Sequence, residues 1–393
     1  MIVGRLAIAL VLLAGRAGAH DRTTSTSSWD IRGREAVVTA GLAALDVSRF
    51  PWATSGDSEV TLGRYLARHL ELAAGETPCA VTSGPQPLAA PPGRMMYEWR
   101  LACPAAGALR IRSDLLLEVA PGHLHFARLV RDGAAPAERV LSEHEGSWIL
   151  DAGPGGPAST SVASYVKLGV EHILGGADHL AFLLALLLVS GGLADVARLV
   201  TGFTVGHSLT LAAAVLGWVQ PDRAAVEALI GLSVALVAIE NVWLGSERTF
   251  VLPSVVVTML GLLAISAAAG WGRVPAATLG GVGLFALCYF GLLRRVSRPD
   301  LLRWGVAFLF GLVHGFGFAA VLMEAKIAAE RFVPALFGFN AGVELGQLGV
   351  VALIWPAVYV IQAKNQLKPV VVEAGSAIVL ALGLFWFVSR AYN

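Results

Sequence analysis

Hydrophobic and polar positions divide the chain into two parts with different periodicities. Up to about residue 160, short runs alternate apolar and polar residues, as in 109–112 and 123–129. A period of two is typical of half-buried strands. A helical pattern interrupts these runs near 58–73. The first part is therefore predicted to be a small β-rich domain, similar to a β-sandwich, with one helical insertion.

After residue 161 the pattern changes to apolar stretches of about 20 residues with few charges, the length that a helix needs to cross a bilayer. The predicted fold is a polytopic all-α bundle of about eight transmembrane helices that follows the β-rich domain. The eight stretches lie near 166–190, 196–218, 225–244, 250–269, 275–293, 303–323, 337–361 and 370–388.

Cationic residues between these stretches predict the orientation. With the domain before the first span outside the cell membrane, the cytoplasmic loops hold eight lysines and arginines and the opposite loops and tail hold five. This bias agrees with the positive-inside rule. Arg303 and Arg390 are counted here as a loop cation and a tail cation.

The N-terminus has the features of an export signal. Residues 1–19 combine Arg5, a short apolar run and Ala17-Gly18-Ala19, a pattern that signal peptidase cleaves. Four segments follow from this: a signal peptide (1–19), a periplasmic β-rich domain (20–150), a linker (151–161) and a transmembrane domain (162–393). The predicted location is the inner membrane of a bacterium.

Export predicts the state of the cysteines. Cys79 and Cys103 are the two cysteines outside the apolar stretches, and in an oxidising compartment they are expected to pair. Cys288 lies in an apolar stretch and is expected to be a core residue.

Composition excludes several classes of function. The chain is 56% hydrophobic and 15% charged, with a mean hydropathy of +0.67, which does not fit a soluble globular protein. A net charge of +1 with four lysines provides no basic surface for nucleic acid. The sequence has no Gly-Lys-Ser/Thr phosphate loop and therefore no sign of an ATPase domain. The expected partners are the lipid bilayer and a small solute.

Ionisable residues inside the apolar stretches indicate where the function lies, because each costs about 3 kcal/mol at mid-bilayer unless it has a partner or faces a wet cavity. Imidazole and carboxylate are ligands of borderline divalent metals such as nickel, cobalt and zinc. The predicted metal ligands are His172, Asp178, His179, His207, His314 and Glu344.

Helical spacing suggests how these residues are arranged. In a continuous helix, His172 and His179 would share a face but stand about 10.5 Å apart along the axis, too far to bind one ion together. They are therefore predicted to be successive stations on a path. Asn340, Glu344 and Gln347 follow the i, i+4, i+7 rule and should form one polar stripe facing the bundle.

The first of these stretches resembles a known family. The pattern His172-x5-Asp178-His179 is similar to the first-span motif of the HupE/UreJ proteins, regarded as nickel or cobalt permeases. The resemblance implies that these three residues are metal ligands. The family's second motif is Phe-His-Gly followed closely by an acidic residue, whereas here Val313 precedes the histidine and Glu324 lies ten residues after it. This departure leaves the identity of the ion open.

Three functions remain open at this point, and with them the question of whether the protein is an enzyme. The first is an ATP-independent permease for a divalent metal, nickel or cobalt before zinc or copper. The second is an intramembrane zinc hydrolase, with Asp178 or Glu344 as the base. The third is a copper-handling protein that binds the ion at His20, with His123 and His125 on one face of a strand. A permease should place its ligands along a line, and a hydrolase should gather three at one depth.

A short internal similarity bears on the mechanism. Gly-Val-Glu occurs at 169–171 and again at 342–344, in each case next to a glycine-flanked histidine span. This suggests a repeat in which spans one and two pair with spans six and seven around a central site, as in inverted-repeat transporters.

Overall fold

The computed structural model describes residues 23–54, 58–90, 93–104, 108–134, 136–143, 145–150, 161–296, 299–324, 332–362 and 368–392. The predictions for the signal peptide, for His20 and for most of the linker lie outside these residues. The chain divides into two compact units, which are described separately. One is a β-rich unit built on 23–150, and the other is a helical unit built on 165–320 and 333–392.

The described part of the β-rich unit contains ten strands and one longer helix. The strands are β1 (Thr24–Arg32), β2 (Glu35–Ala43), β3 (Leu70–Ala74), β4 (Thr77–Pro78), β5 (Ala80–Leu88), β6 (Arg94–Ala102), β7 (Leu109–Ser113), β8 (Leu124–Arg131), β9 (Ala137–Leu141) and β10 (Ser147–Leu150). The helix α1 (Ser58–His69) follows two short helical turns, Ala44–Val47 and Pro51–Thr54. It ends earlier than the helix predicted near 58–73, because the chain continues directly as β3.

Two sheets enclose the core of this unit. The six-stranded sheet has the order β5-β6-β2-β1-β8-β9, and the four-stranded sheet has the order β10-β7-β3-β4. β1 and β8 pair in parallel, whereas the other pairs are antiparallel. Trp29 and Trp99 from the first sheet and Trp148 from the second are buried in one shared hydrophobic cluster. The predicted β-rich fold with a helical insertion is confirmed.

The predicted disulfide is also confirmed. Cys79 and Cys103 are bonded to each other. They flank the antiparallel pair β5 and β6, in which Ala80 stands opposite Ala102. The bond therefore ties together the two strands at one edge of the six-stranded sheet.

His123 and His125 are buried between β1 and β8, at 2% and 1% exposure. The Ser25 hydroxyl lies 2.7 Å from His123 Nε2 and 2.7 Å from His125 Nδ1. Thr23 Oγ1 lies 2.6 Å from His123 Nδ1, and Ser27 Oγ lies 2.7 Å from His125 Nε2. All four ring nitrogens therefore have a hydroxyl partner. Hydroxyl groups on the neighbouring parallel strand thus allow both rings to be buried.

The stability of the β-rich unit should depend on pH through these two residues. Burial lowers the pKa of both His123 and His125 to about 3. Below the ordinary pKa of about 6.5 the unfolded chain takes up protons that the folded unit does not, so the free energy of unfolding falls as the pH falls. Between pH 7.5 and pH 5 we expect a loss of about 4 kcal/mol for the two residues together. Hydrogen exchange of β1 and β8 in the full chain, corrected for intrinsic exchange rates, would measure it.

A control variant is His69→Ala, which removes a partly exposed histidine that pairs with Asp114 outside the buried pair. This variant should retain the full pH dependence. Equal protection of β1 and β8 at the two pH values in the wild-type protein would contradict the prediction.

The helical unit consists of long helices joined by short connections. A broken first segment comprises α2 (Val162–Gly175) and α3 (Ala177–Val189), whose axes differ by 72°. The helices after it are α4 (Leu193–Val215), α5 (Arg223–Gly245), α6 (Val251–Ala268), α7 (Ala276–Leu293), α8 (Pro299–Glu324), α9 (Phe332–Gln362) and α10 (Lys368–Tyr392).

Each of the eight predicted spans corresponds to one of these elements, but fewer than eight have the character of a membrane span. Among the described residues, the six helices α5 to α10 are long and apolar enough to cross a bilayer, and the bent pair α2 and α3 counts as a seventh. Val251, Ile265 and Leu353 are apolar side chains that are more than two thirds exposed, as expected for residues facing lipid. The protein is a multi-pass membrane protein with six or seven such spans.

Cys288, expected in the core, is exposed on α7. An apolar stretch in a membrane helix includes positions that face lipid as well as positions that face other helices, since both surroundings are apolar. Hydropathy therefore could not distinguish a core cysteine from one on the outer surface of the bundle.

Candidate metal site

The site begins with the break between α2 and α3. Gly176 has an extended backbone, with φ −92° and ψ 98°, and it separates the two helices. Asp178 stands in the first turn of α3, where its Oδ1 accepts a hydrogen bond of 2.9 Å from the backbone N–H of His179. A carboxylate at this position is favourable because the N-terminus of a helix carries partial positive charge.

The break corrects the distance predicted for a continuous helix. The ring centroids of His172 and His179 lie 4.8 Å apart, and both rings are 2% exposed. The expectation that these two residues are too far apart to bind one ion together is therefore wrong. It assumed a straight helix across Gly175 and Gly176.

Four buried histidines form a series of neighbouring rings within the helical unit, the histidine row. His207 on α4 lies 6.1 Å from His172, and His314 on α8 lies 5.3 Å from His179, again between ring centroids. With the central pair His172 and His179, the order is His207, His172, His179 and His314. Neither His207 nor His314 is more than 1% exposed.

Phenylalanine rings surround the row. Phe318 and Phe339 lie 4.4 Å and 5.4 Å from the ring of His172, and Phe203 lies 4.9 Å from that of His314. These residues come from α8, α9 and α4. An aromatic lining lowers the local dielectric constant, which strengthens the interaction of the row with any charge that enters it.

Hydrogen bonds orient the two outer histidines. The Asn340 Oδ1 lies 3.3 Å from His207 Nδ1, and because an amide oxygen only accepts, Nδ1 is the donor and Nε2 carries the lone pair. Ser233 gives its hydroxyl hydrogen to the carbonyl of Ile230, so its oxygen accepts from His314 Nε2 at 2.9 Å. The lone pair of His314 is therefore on Nδ1.

Asp178 orients a third histidine, His179. Its Oδ1 lies 3.2 Å from His179 Nδ1, so the carboxylate faces that ring nitrogen. Arg390 NH2 lies 3.6 Å from the other carboxylate oxygen and also donates through NH1 to the backbone carbonyl of Glu227. Asp178 is fully buried, and Arg390 balances its charge.

The predicted polar stripe of α9 packs against α4. Glu344 Oε1 accepts a hydrogen bond of 2.7 Å from Thr201, and Gln347 Oε1 accepts one of 2.9 Å from Thr204. The structure thus brings five of the six predicted metal residues together in contacts within the row. Glu344, the sixth, has Thr201 as its observed partner.

Two buried ion pairs stabilise the bundle. Their arginines, Arg303 and Arg390, were assigned to a loop and to the tail in the sequence analysis. Arg303 Nε donates to Glu240 Oε1 at 2.7 Å, and the Tyr289 hydroxyl donates to Oε2 at 2.8 Å. Arg303 is in α8 and 13% exposed, and Arg390 is in α10 and 11% exposed, so neither is a loop or tail cation. An acidic residue within a span requires a positive partner, and this requirement was the signal that could have found both.

No set of three histidine, cysteine, aspartate or glutamate side chains in the described parts of the chain is arranged to hold a single ion. The arrangement consists of neighbouring pairs: His207 with His172, His172 with His179, and His179 with His314. Such pairs can pass a cation from one set of imidazoles to the next, since each histidine of the central pair belongs to two of them.

Fold and site together define a polytopic membrane protein with a buried row of histidines. A family model described as HupE / UreJ protein matches residues 153–270 and 263–390. The two segments together cover more than half of the chain, which belongs to the HupE/UreJ family, as the first-span motif predicted. A comparison with curated proteins finds no match.

Removing Arg303 should destabilise the bundle. Arg303→Met would leave the Glu240 carboxylate buried beside Tyr289 without its cation, and breaking a buried ion pair in this way costs about 3–5 kcal/mol. The double variant Glu240→Leu/Arg303→Met removes both charges and should recover most of the loss. Thermal unfolding of the detergent-solubilised protein would measure both effects.

A matched control is Arg198→Ala, which removes a cation from an exposed pair with Asp195. Exposed pairs contribute about 0–1 kcal/mol. If Arg303→Met lowered the unfolding temperature no more than Arg198→Ala does, the structural role of the buried pair would be refuted.

Proposed function

We propose that this protein is a secondary permease that moves a divalent transition metal ion through the row of four histidines. The row is the observation that carries the proposal. Its rings follow one another at 6.1, 4.8 and 5.3 Å, and they come from four helical segments, α4, α2, α3 and α8. Ionisable groups cost free energy inside a membrane, so a chain of four buried imidazoles favours a pathway for an ion.

The chemistry of the row favours a borderline metal. Neutral imidazole nitrogen suits nickel, cobalt, zinc and copper, whereas magnesium and calcium prefer oxygen ligands. The resemblance of His172, Asp178 and His179 to the HupE/UreJ motif favours nickel and cobalt. A permease must bind its ion weakly enough to release it, and two imidazoles at each step provide fewer ligands than a structural zinc site does.

The arrangement of the histidines in neighbouring pairs supports a permease over a zinc hydrolase. An intramembrane hydrolase would gather three ligands at one depth and place a carboxylate beside the activated water. Asp178 is instead held between His179 and Arg390, and the described residues contain no group of three ligands. The copper alternative loses support, since hydroxyl groups occupy the ring nitrogens of His123 and His125.

The proposed location is the bacterial inner membrane, with the β-rich unit in the periplasm. The bond between Cys79 and Cys103 fits an oxidising compartment. Arg303 was counted among the cytoplasmic cations and Arg390 among those on the opposite side. Without them the cytoplasmic loops hold seven lysines and arginines and the opposite side holds four, so the charge bias remains.

Removing one imidazole from the centre of the row should stop transport. His179 belongs to two of the three neighbouring pairs, so we expect His179→Ala to lower cobalt uptake into reconstituted vesicles at least about tenfold. The protein should still insert and fold, because the substitution removes a polar ring from an apolar bundle. Uptake is measured as the initial rate per folded protein, with the unfolding temperature recorded for each variant.

The matched control is His69→Ala in the β-rich unit, which should leave uptake unchanged. A folded His179→Ala protein that takes up cobalt at the wild-type rate would refute the assignment of the row. A loss of stability that accounts for the whole loss of uptake would do the same.

Asp178→Asn is a less direct probe, because it would leave Arg390 buried without a charged partner. The double variant Asp178→Asn/Arg390→Gln removes both charges and separates the two roles. We expect it to recover stability but not uptake, since the histidine still lacks its carboxylate.

A further inference from the structure

Three helix crossings in the helical unit are built on pairs of glycines. They join α2 with α9, α4 with α8, and α5 with α10. At each crossing a side chain on either glycine would collide with the backbone of the facing helix. The pairs are Gly169 with Gly342, Gly206 with Gly311, and Gly231 with Gly383.

The first two crossings are equivalent at the level of individual atoms. A Cβ at Gly169 would overlap with the carbonyl oxygen of Phe339, and a Cβ at Gly311 would overlap with the carbonyl oxygen of Phe203. Each of these phenylalanines stands three residues before the glycine of its own helix. The same glycine contact thus occurs twice, once between α2 and α9 and once between α8 and α4.

The reciprocal contacts have the same register. A Cβ at Gly342 would overlap with the carbonyl oxygen of Val166, and a Cβ at Gly206 would overlap with the carbonyl oxygen of Phe308. Val166 lies three residues before the glycine of α2, and Phe308 lies three residues before the glycine of α8. All four contacts share this register, and together with the order of the helices along the chain it makes α2 equivalent to α8 and α4 equivalent to α9.

At the third crossing, each of the two helices makes the same contact with the other. A Cβ at Gly231 would lie 2.7 Å from the backbone nitrogen of Phe387, and a Cβ at Gly383 would lie 2.6 Å from that of Ala235. In both cases the nitrogen belongs to the residue four positions after the facing glycine. With α2 equivalent to α8 and α4 equivalent to α9, the next helices along the chain, α5 and α10, are equivalent to each other, and their reciprocal contact places the twofold axis between them.

The sequence contains the same correspondence. The pattern Gly-x-x-His-x-x-Gly-x-Ala occurs from Gly169 to Ala177 and again from Gly311 to Ala319. His172 of one copy corresponds to His314 of the other, and both belong to the histidine row. The two Gly-Val-Glu segments, in contrast, face each other at one crossing and do not occupy equivalent positions.

The two copies have opposite orientations. Between α5 and α10 lie four helices that are long and apolar enough to span a membrane. An even number of intervening spans places α5 and α10 in opposite directions across the bilayer. With α4 crossing the bilayer as its counterpart α9 does, the segment from α2 to α5 and the segment from α8 to α10 are inverted repeats, as in several classes of secondary transporter.

One element differs between the copies. The first copy bends by 72° directly after Gly175, whereas α8 continues without interruption past Gly317, the equivalent glycine. We infer that the bent segment α2 and α3 and the straight helix α8 are one structural element in two conformations, and that the protein alternates by exchanging them. In the second state α8 bends at Gly317 while α2 and α3 become one straight helix.

The exchange has a consequence for the proposed ion path, and this step rests on the proposed function. In the bent state His172 and His179 form a pair with centroids 4.8 Å apart. In a straight helix they would stand about 10.5 Å apart along the axis. Straightening would therefore divide the pair and release an ion bound to it, while a bend in α8 would open the other side of the bundle.

The test is a distance measurement in the full chain. Spin labels are attached at Val162 and Val189, with Cys288→Ser as background and the native disulfide retained. Helix geometry gives a separation of about 30 Å for the bent state and about 40 Å for the straight state. Pulsed electron spin resonance in lipid nanodiscs should detect both distances, with the shorter one predominant.

Two glycine variants should shift the populations in opposite directions. Gly175→Ala favours a continuous α2 and α3 and should increase the long-distance population about fivefold relative to the short one, the factor expected from helix propensity. Gly317→Ala opposes a bend in α8 and should decrease it by a similar factor. The new methyl group at 317 would lie 2.8 Å from the end of the Ile230 side chain, which can move, and 4.0 Å from Val226 Cγ1.

The matched control is Gly261→Ala on α6, where a Cβ would have no neighbour within 4 Å. It should shift neither population. A single distance of about 30 Å in all variants, or a shift in the same direction for both Gly175→Ala and Gly317→Ala, would overturn the inference.

Adding zinc, which is diamagnetic, distinguishes the exchange of conformations from the proposed ion path. Binding to the pair His172 and His179 should increase the short-distance population. Opposite shifts in the two glycine variants without any effect of zinc would support the exchange and count against the proposed ion path.

Discussion

Burial of ionisable side chains in an apolar bundle is the constraint that organises the helical unit. A carboxylate or guanidinium without a partner costs several kcal/mol in such surroundings, so each one must be paired or hydrogen-bonded. Glu240 satisfies this through Arg303 and Tyr289, and Asp178 satisfies it through Arg390 and His179. These pairs fix α10 against α3 and α8 against α5, and the histidine row lies among the helices that they hold.

Close helix contact is the second requirement, because imidazole rings reach only a few ångströms from the backbone. Glycines at the crossings allow α2 to approach α9 and α4 to approach α8 at the distance of backbone contact. The break at Gly176 then turns α3 so that His179 meets both His172 and His314. A straight, more widely spaced bundle with the same residues would hold four separate histidines.

The sequence predicted the parts of this arrangement that depend on local pattern. Apolar length located the helices, alternation located the strands, and the cost of burying ions drew attention to the four histidines and Asp178. The sequence did not predict the break after Gly175, because the argument from helical spacing assumes one straight helix axis. Arg303 and Arg390 were also misplaced, since they lie near the ends of apolar stretches, where hydropathy alone cannot tell a solvated cation from a buried partner.

The two groups of buried histidines show how hydrogen bonding decides what such a residue can do. In the β-rich unit, the hydroxyl groups of β1 and of Thr23, the residue before it, lie within hydrogen-bond distance of both nitrogens of His123 and of His125. Each ring therefore links two parallel strands. In the helical unit, Asn340 engages His207 through Nδ1, and Ser233 engages His314 through Nε2. Each of these contacts places the proton on one nitrogen and a lone pair on the other. Burial alone therefore does not mark a histidine as a metal ligand, because the partner that orients the ring decides which nitrogen carries the proton and which carries the electron pair.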